Sequence, residues 1–195
     1  MNVPAVPAQM KRIMVVGSSG SGKSTLAESL AELLGCKHIE IDAHNFVAGW
    51  QSRPQDELHD RIERETRDES WVSCGNYGKM RDITWGRADT LVFLDYPLRI
   101  VLWRLTRRSL TRAITRENLW GSGNRENFFV HLQWNKNSLY YWAITNHERR
   151  RREYPQLVTT PEYAHLRYIH LTDPRMTRAW LDAVHMEYRA ASSPV

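Results

Sequence analysis

The chain has 195 residues, 42% of them hydrophobic and 25% charged, with a formal charge of +5. These are the proportions of one ordinary globular domain able to bury a core. No apolar run approaches the roughly 20 residues that cross a bilayer, and two cysteines, Cys36 and Cys74, are too few for a zinc cluster. What remains is a globular protein with buried free thiols in a reducing, cytoplasmic setting, its mild positive charge suited to an anionic partner.

MNVPAVPAQM (1–10) carries two prolines and no basic residue ahead of its apolar part. That is the wrong order for a secretory signal and reads as a flexible arm. RIMVV (12–16) is a short β-branched run, read as a buried strand. From Ser24 to Leu34 the leucines 26, 30, 33 and 34 recur at helical spacing, with Gly35 as the stop. HIEI (38–41) predicts a second strand ending at Asp42. The stretch 54–70 predicts a helix opened by Pro54 and acidic residues, and WVSC (71–74) and TLVFLD (90–95) two more buried strands. After Pro97 comes a long helix with Leu98, Val101, Leu102 and Leu105 as its stripe. Residues 117–127 are a loop, 134–154 a resumed helix, 166–171 a last strand and 174–188 a last helix. This alternation predicts an α/β fold with a mainly parallel sheet and no second domain boundary.

Between the first strand and the first helix lies GSSGSGKST (17–25). Gly17-xxxx-Gly22-Lys23-Ser24 is the P-loop pattern in its proper strand–loop–helix setting. Gly17, Ser18, Ser19, Gly20, Ser21, Gly22, Lys23, Ser24 and Thr25 form a phosphate cradle: the glycines let backbone N–H groups turn inward at a helix N-terminus. Lys23 reaches the β- and γ-phosphates, and the Ser24 hydroxyl ligates Mg²⁺. LVFLD (91–95) has the shape of the strand that ends in a metal-linked aspartate, so Asp95 is either a second Mg²⁺ residue or the cap of the next helix. The residue after it is Tyr96, not a water-activating glutamate, and NKNS (135–138) lacks the aspartate of a guanine-reading motif. Both facts lean away from a hydrolytic motor and a GTPase.

A small kinase also needs an acceptor pocket and a cationic cover. Asp42 sits on the P-loop edge of the sheet, placed to take the proton of a substrate hydroxyl, to bind the acceptor or to help hold Mg²⁺; an Asx turn is the bland alternative. Trp50, Arg53 and the GNYGKMR segment, with Gly75, Asn76, Tyr77 and Arg81, are candidate acceptor contacts. From Arg99 to Arg116 there are six arginines and no acid. Arg104, Arg108, Arg112 and Arg116 repeat every four residues and lead into WGSGNRE with Arg125, the composition of a lid over about 108–130. Lys23, Asp42, Arg112, Arg116 and Arg125 are the candidate catalytic set. Arg149–Arg152 reads as a solvated helix end.

The segments RIMVVGSSGSGKSTLA, IDAHNFVAGW, WVSCGNYGKMRD, RADTLVFLDYP and LWGSGNREN, in this order, resemble the adenylate-kinase-like P-loop proteins known as DNA topology modulation proteins, of the nucleoside-monophosphate-kinase superfamily. The likeness covers Lys11 to about Tyr154. It implies a P-loop NTPase fold with a five-stranded, mainly parallel sheet flanked by helices and an Arg-rich helical lid, with ATP and Mg²⁺ as cofactors. It also implies a loop at Asp173 and Pro174 beside the adenine. One departure stands out: the family usually has Asp just before the GNY glycine, where this chain has Cys74. The whole reads as one kinase-like domain over 11–190, followed by a flexible tail at 191–195. Its expected activity is transfer of the γ-phosphoryl group of MgATP to a nucleotide-like or hydroxylated small molecule, by a monomer or weak homodimer. The alternative is a nucleic-acid-linked regulatory ATP-binding protein or ATPase.

Overall fold

The computed structural model describes residues 3–7 and 9–192. Five parallel strands, β1 (Arg12–Gly17), β2 (Lys37–Glu40), β5 (Trp71–Cys74), β6 (Thr90–Leu94) and β7 (Arg167–Leu171), form one sheet in the order β2-β5-β1-β6-β7. Between β2 and β5 lie α2 (Ile41–Asn45), a two-stranded antiparallel hairpin of β3 (Phe46–Val47) and β4 (Gln51–Ser52), and α3 (Gln55–Glu65). The remaining helices are α1 (Lys23–Leu34), α4 (Arg81–Arg87), α5 (Leu98–Thr115), α6 (Phe128–His131), α7 (Leu139–Leu157) and α8 (Pro174–Ser192).

Continuous apolar strands mean a sheet covered on both faces, and alternate residues of β1 divide between two cores accordingly. Ile13 and Val15 pack with Leu26, Leu30, Val101, Leu105, Trp180 and Val184, from α1, α5 and α8. Met14 and Val16 pack on the other face with Ile62, Trp85, Phe93 and Tyr154. Gly35 stops α1 in the left-handed conformation, its N–H returning to the carbonyls of Ala31 and Glu32.

Several boundaries differ from the sequence expectation. Residues expected as an arm lie against the body: Met10 is buried, Val3 and Val6 pack on the first core, and the Met10 N–H and C=O both bond the Tyr188 hydroxyl. Of the expected tail, α8 takes in residues up to Ser192, and 193–195 lie outside the described residues. β2 ends at Glu40, so Asp42 opens a short helix rather than closing a strand. α7 begins at Leu139, not 134, because the Ser138 side chain caps it by accepting from the Tyr141 N–H. α4, within RDITWGR, was not anticipated; the glycine in it hid a helix that buries Ile83 and Trp85.

Candidate active site

The loop from β1 to α1 closes on itself as the motif requires. At Gly17, with φ 149°, a Cβ would stand 2.7 Å from the Leu94 carbonyl oxygen, so only glycine fits beside β6. Gly20, with φ 86°, is pressed as closely on α5: a Cβ there would lie 2.9 Å from both Leu105 Cβ and the Val101 oxygen. Asn76 clamps the loop from the GNY segment, accepting from the Gly17 N–H at 3.1 Å and donating to its oxygen at 2.6 Å. Asn76, expected to meet the acceptor, is bonded through its side chain to the cradle. Arg104 donates to the Ser21 oxygen at 3.1 Å and Lys23 to the Ser18 oxygen at 3.1 Å. Lys23 is deeply set among protein atoms, and this desolvation brings its ammonium down to about 8, against the favourable charge of Asp42.

Around Ser24 the structure brings together residues other than Asp95. Ser24 Oγ donates to Glu40 Oε1 at 2.7 Å, making Glu40, at the end of β2, the carboxylate that meets the P-loop serine. Asp95 turns the other way: His170 Nε2 lies 3.0 Å and Arg151 Nε 3.1 Å from its oxygens. Burial would raise the Asp95 carboxyl, but the His170 bond and the Arg151 charge outweigh it and hold the group below its ordinary value. The reason is topological. β6 borders β1 on the side away from β2, whereas β5 lies between β1 and β2, so residues ending β5 and β2 face Ser24. Cys74 is there, 3.6 Å from Ser24 Oγ and paired in register with Glu40. Its thiol, pushed up to about 12 by burial, stays protonated. Two oxygen donors, Ser24 and Glu40, suit a hard cation such as Mg²⁺.

On the acceptor side, Asp42 accepts from the Tyr77 hydroxyl at 2.6 Å, with Gly75 close beneath: a Cβ on it would lie 3.1 Å from Ile41 Cδ1. Arg53 is held by the His44 oxygen at 2.8 Å and Glu57 at 2.7 Å. Arg81 is held by Glu153 at 2.7 Å and lies over the Trp85 ring at 4.9 Å. Both arginines expected at the acceptor are therefore engaged with the protein itself.

The 117–127 loop folds back as a tight turn, with the Leu119 N–H on the Asn124 oxygen at 2.9 Å, and docks on the β3–β4 hairpin. Asn124 accepts from the Trp50 N–H at 3.0 Å and donates to the Val47 oxygen at 2.9 Å; Trp50 Nε1 donates to the Arg125 oxygen at 3.2 Å. Trp50, expected to bind acceptor, is thus an anchor for this loop. Under it, the buried Glu126 faces Arg108 at 3.4 Å and Arg112 at 3.8 Å, and Arg112 also meets Glu117 at 3.2 Å. Arg116 and Arg125 are exposed, Arg116 in the left-handed conformation that ends α5. Arg150 differs from its neighbours in the four-arginine run. It is half-buried, its Nη1 has no hydrogen-bond partner, and its charge presses on Lys23. In the sequence it is indistinguishable from the solvated arginines beside it. Only helical phase separates it from Arg149 and Arg151.

Along α5 a cavity of about 370 Å³ is lined by Arg104, Arg108 and Arg112. A second, of about 400 Å³, shares Trp103 and Arg104 and reaches Pro174. Asp173 is occupied as the cap of α8, accepting from the Arg175 and Met176 N–H groups at 2.8 and 3.0 Å.

Sheet order, cradle and helices define an α/β P-loop NTPase fold. A family model for the ATPase family associated with various cellular activities (AAA) matches residues 13–74, the span from β1 to β5. Shikimate kinase from Acinetobacter baumannii, solved with shikimate, superposes with a TM-score of 0.57 and 18% identity, over 96% of this chain and 100% of that one. Shikimate kinase from Bacteroides thetaiotaomicron gives 0.51 and 18%, over 91% and 98%. Threonine synthase-like 1 of Mus musculus is 28% identical over 119 residues, which are 53% of this chain and 16% of that relative. The chain thus matches a small part of that protein's length, and the structural likenesses are likenesses of fold.

Proposed function

We propose that the protein is a small-molecule kinase, transferring the γ-phosphoryl group of ATP to a hydroxylated or nucleotide-like acceptor. The observation that carries this is geometric: the P-loop cradle has Lys23 on the Ser18 oxygen and Ser24 on Glu40, and on the same sheet edge Asp42 is held by the Tyr77 hydroxyl at 2.6 Å. A phosphoryl group in the cradle would meet Lys23, and Arg150, whose buried Nη1 has no hydrogen-bond partner, would be a second cation for the charge spread over its oxygens during transfer. Asp42, oriented by Tyr77, takes the proton of the attacking hydroxyl. Ser24 and Glu40 would hold Mg²⁺, which neutralises phosphate charge when bound. The Arg104–Pro174 cavity would take the nucleoside, and the 117–127 loop would be the lid that excludes water. Arg112, now paired with Glu117 and Glu126, would belong to that lid's frame rather than to the reacting group.

The test is ADP release from MgATP across nucleoside monophosphates, sugar acids and shikimate, with Lys23→Ala as control. Acceptor-dependent release lost in the variant is expected; equal release with and without every acceptor would refute the kinase.

A further inference from the structure

Glu40 has both carboxylate oxygens engaged, and the two partners come from opposite parts of the site. Oε1 accepts from Ser24 Oγ at 2.7 Å, and Oε2 accepts from Trp120 Nε1 at 2.7 Å. Ser24 belongs to the cradle; Trp120 is the tip of the lid loop. On the kinase reading above, we propose that Trp120 is a positioning residue for the metal-binding carboxylate: its indole N–H sets Glu40, so that closing the lid and presenting Oε1 beside Ser24 are one event.

Three further features support this. Trp120 has φ 53° and Gly121 φ 68°, with the Ser122 N–H on the Leu119 oxygen at 3.1 Å. A tryptophan rarely occupies that left-handed region, and here the strained turn delivers the ring to one place. The ring lies stacked 6.2 Å from Phe46 at an interplanar angle of 12°, and edge-on to Trp50 at 6.1 Å, so its N–H is aimed by packing on the same hairpin that anchors Asn124. Finally, Cys74 leaves the neighbouring strand without a carboxylate at Ser24. The long side chain of Glu40 must reach from the edge strand β2 instead, and a glutamate needs an external bond to hold it to one rotamer. The coupling is reciprocal: a cation that favours the set carboxylate also favours the closed lid.

Trp120→Phe keeps an aromatic ring on Phe46 and removes the N–H with part of the indole's packing area, which the double variant separates from the bond; Glu40→Ala removes the acceptor from the other side. In nucleotide-free protein, hydrogen exchange at the Leu119 and Ser122 amides should quicken about tenfold in either variant, and no further in the double variant, since a bond to a charged group is lost once. Unchanged exchange in Trp120→Phe, or additive effects, would overturn the latch. With nucleotide, wild type should bind ATP more tightly when Mg²⁺ is added. Trp120→Phe should lose about tenfold of that gain while its Mg²⁺-free affinity stays the same. A retained gain, or an equal loss without Mg²⁺, would reduce Trp120 to packing. If wild type binds no ATP, the kinase reading falls and the metal role of Trp120 with it, whereas the exchange experiment still decides the latch.

Discussion

Lys23 carries its charge at a cost among the protein atoms of the cradle, and that cost has a measurable consequence. Desolvation holds its ammonium at about 8 against an ordinary 10.5, a difference worth ~3 kcal/mol against the charged form. A polyphosphate restores a counter-charge at the ammonium, so the bound form titrates near or above the ordinary value. At about pH 9 free Lys23 is roughly one-tenth protonated and bound Lys23 nearly fully so; binding should take up about 0.9 proton. ATP is fully ionised there and releases none. The sign follows from the depressed value: uptake is small at about pH 7, where Lys23 is already charged. From the Lys23 term alone, affinity then falls about tenfold between about pH 7 and about pH 9. Calorimetric titration in two buffers of different ionisation enthalpy reads the uptake directly. Lys23→Arg, charged throughout, should bind without it. Uptake below about 0.2 proton, or equal uptake in Lys23→Arg, would show that burial in the protein alone does not depress Lys23.

Gly20→Ala puts a Cβ 2.9 Å from Leu105 Cβ at φ 86°, and should cost about 1–3 kcal/mol in denaturant melts while weakening ATP binding. Glu126→Ala removes the buried partner of the partly exposed Arg108, 3.4 Å away. It should destabilise the protein by about 1–3 kcal/mol, below a fully buried pair, with faster exchange of lid amides than elsewhere. Tyr77→Phe frees Asp42 from its 2.6 Å bond and should lower kcat about tenfold with little change in the ATP KM, read from initial rates. Asp95 is held below its ordinary value: burial opposes this, and His170 with Arg151 overcomes it. Its contribution to stability is present above about pH 4 and lost as pH falls through the lower folded value, so Asp95→Asn should flatten the acid limb of the stability curve.

The P-loop was legible because it is local. The glycines, Lys23 and Ser24 act through a backbone path that nine consecutive residues define, and the strand before it and the helix after it announce themselves by period. The alternating order of strands and helices likewise implied a parallel sheet. No local pattern could say which strand ends face Ser24. Asp95 has the right sequence signature and the wrong neighbour: β6 lies beyond β1, while Glu40, unremarkable inside HIEI, reaches the serine from β2. Arg150 stands in a run that reads as solvated, and the packing of α7 turns that one guanidinium inward. Of the arginines expected at the acceptor, Arg53 is held by Glu57 four residues on, but Arg81 is held by Glu153, a partner far along the chain that only the fold supplies. Composition and period determine which segments become strands and helices and which loop binds phosphate, since these depend on residues close in the chain. Side-chain partners across the sheet depend on strand order and register, and only the assembled tertiary structure decides those.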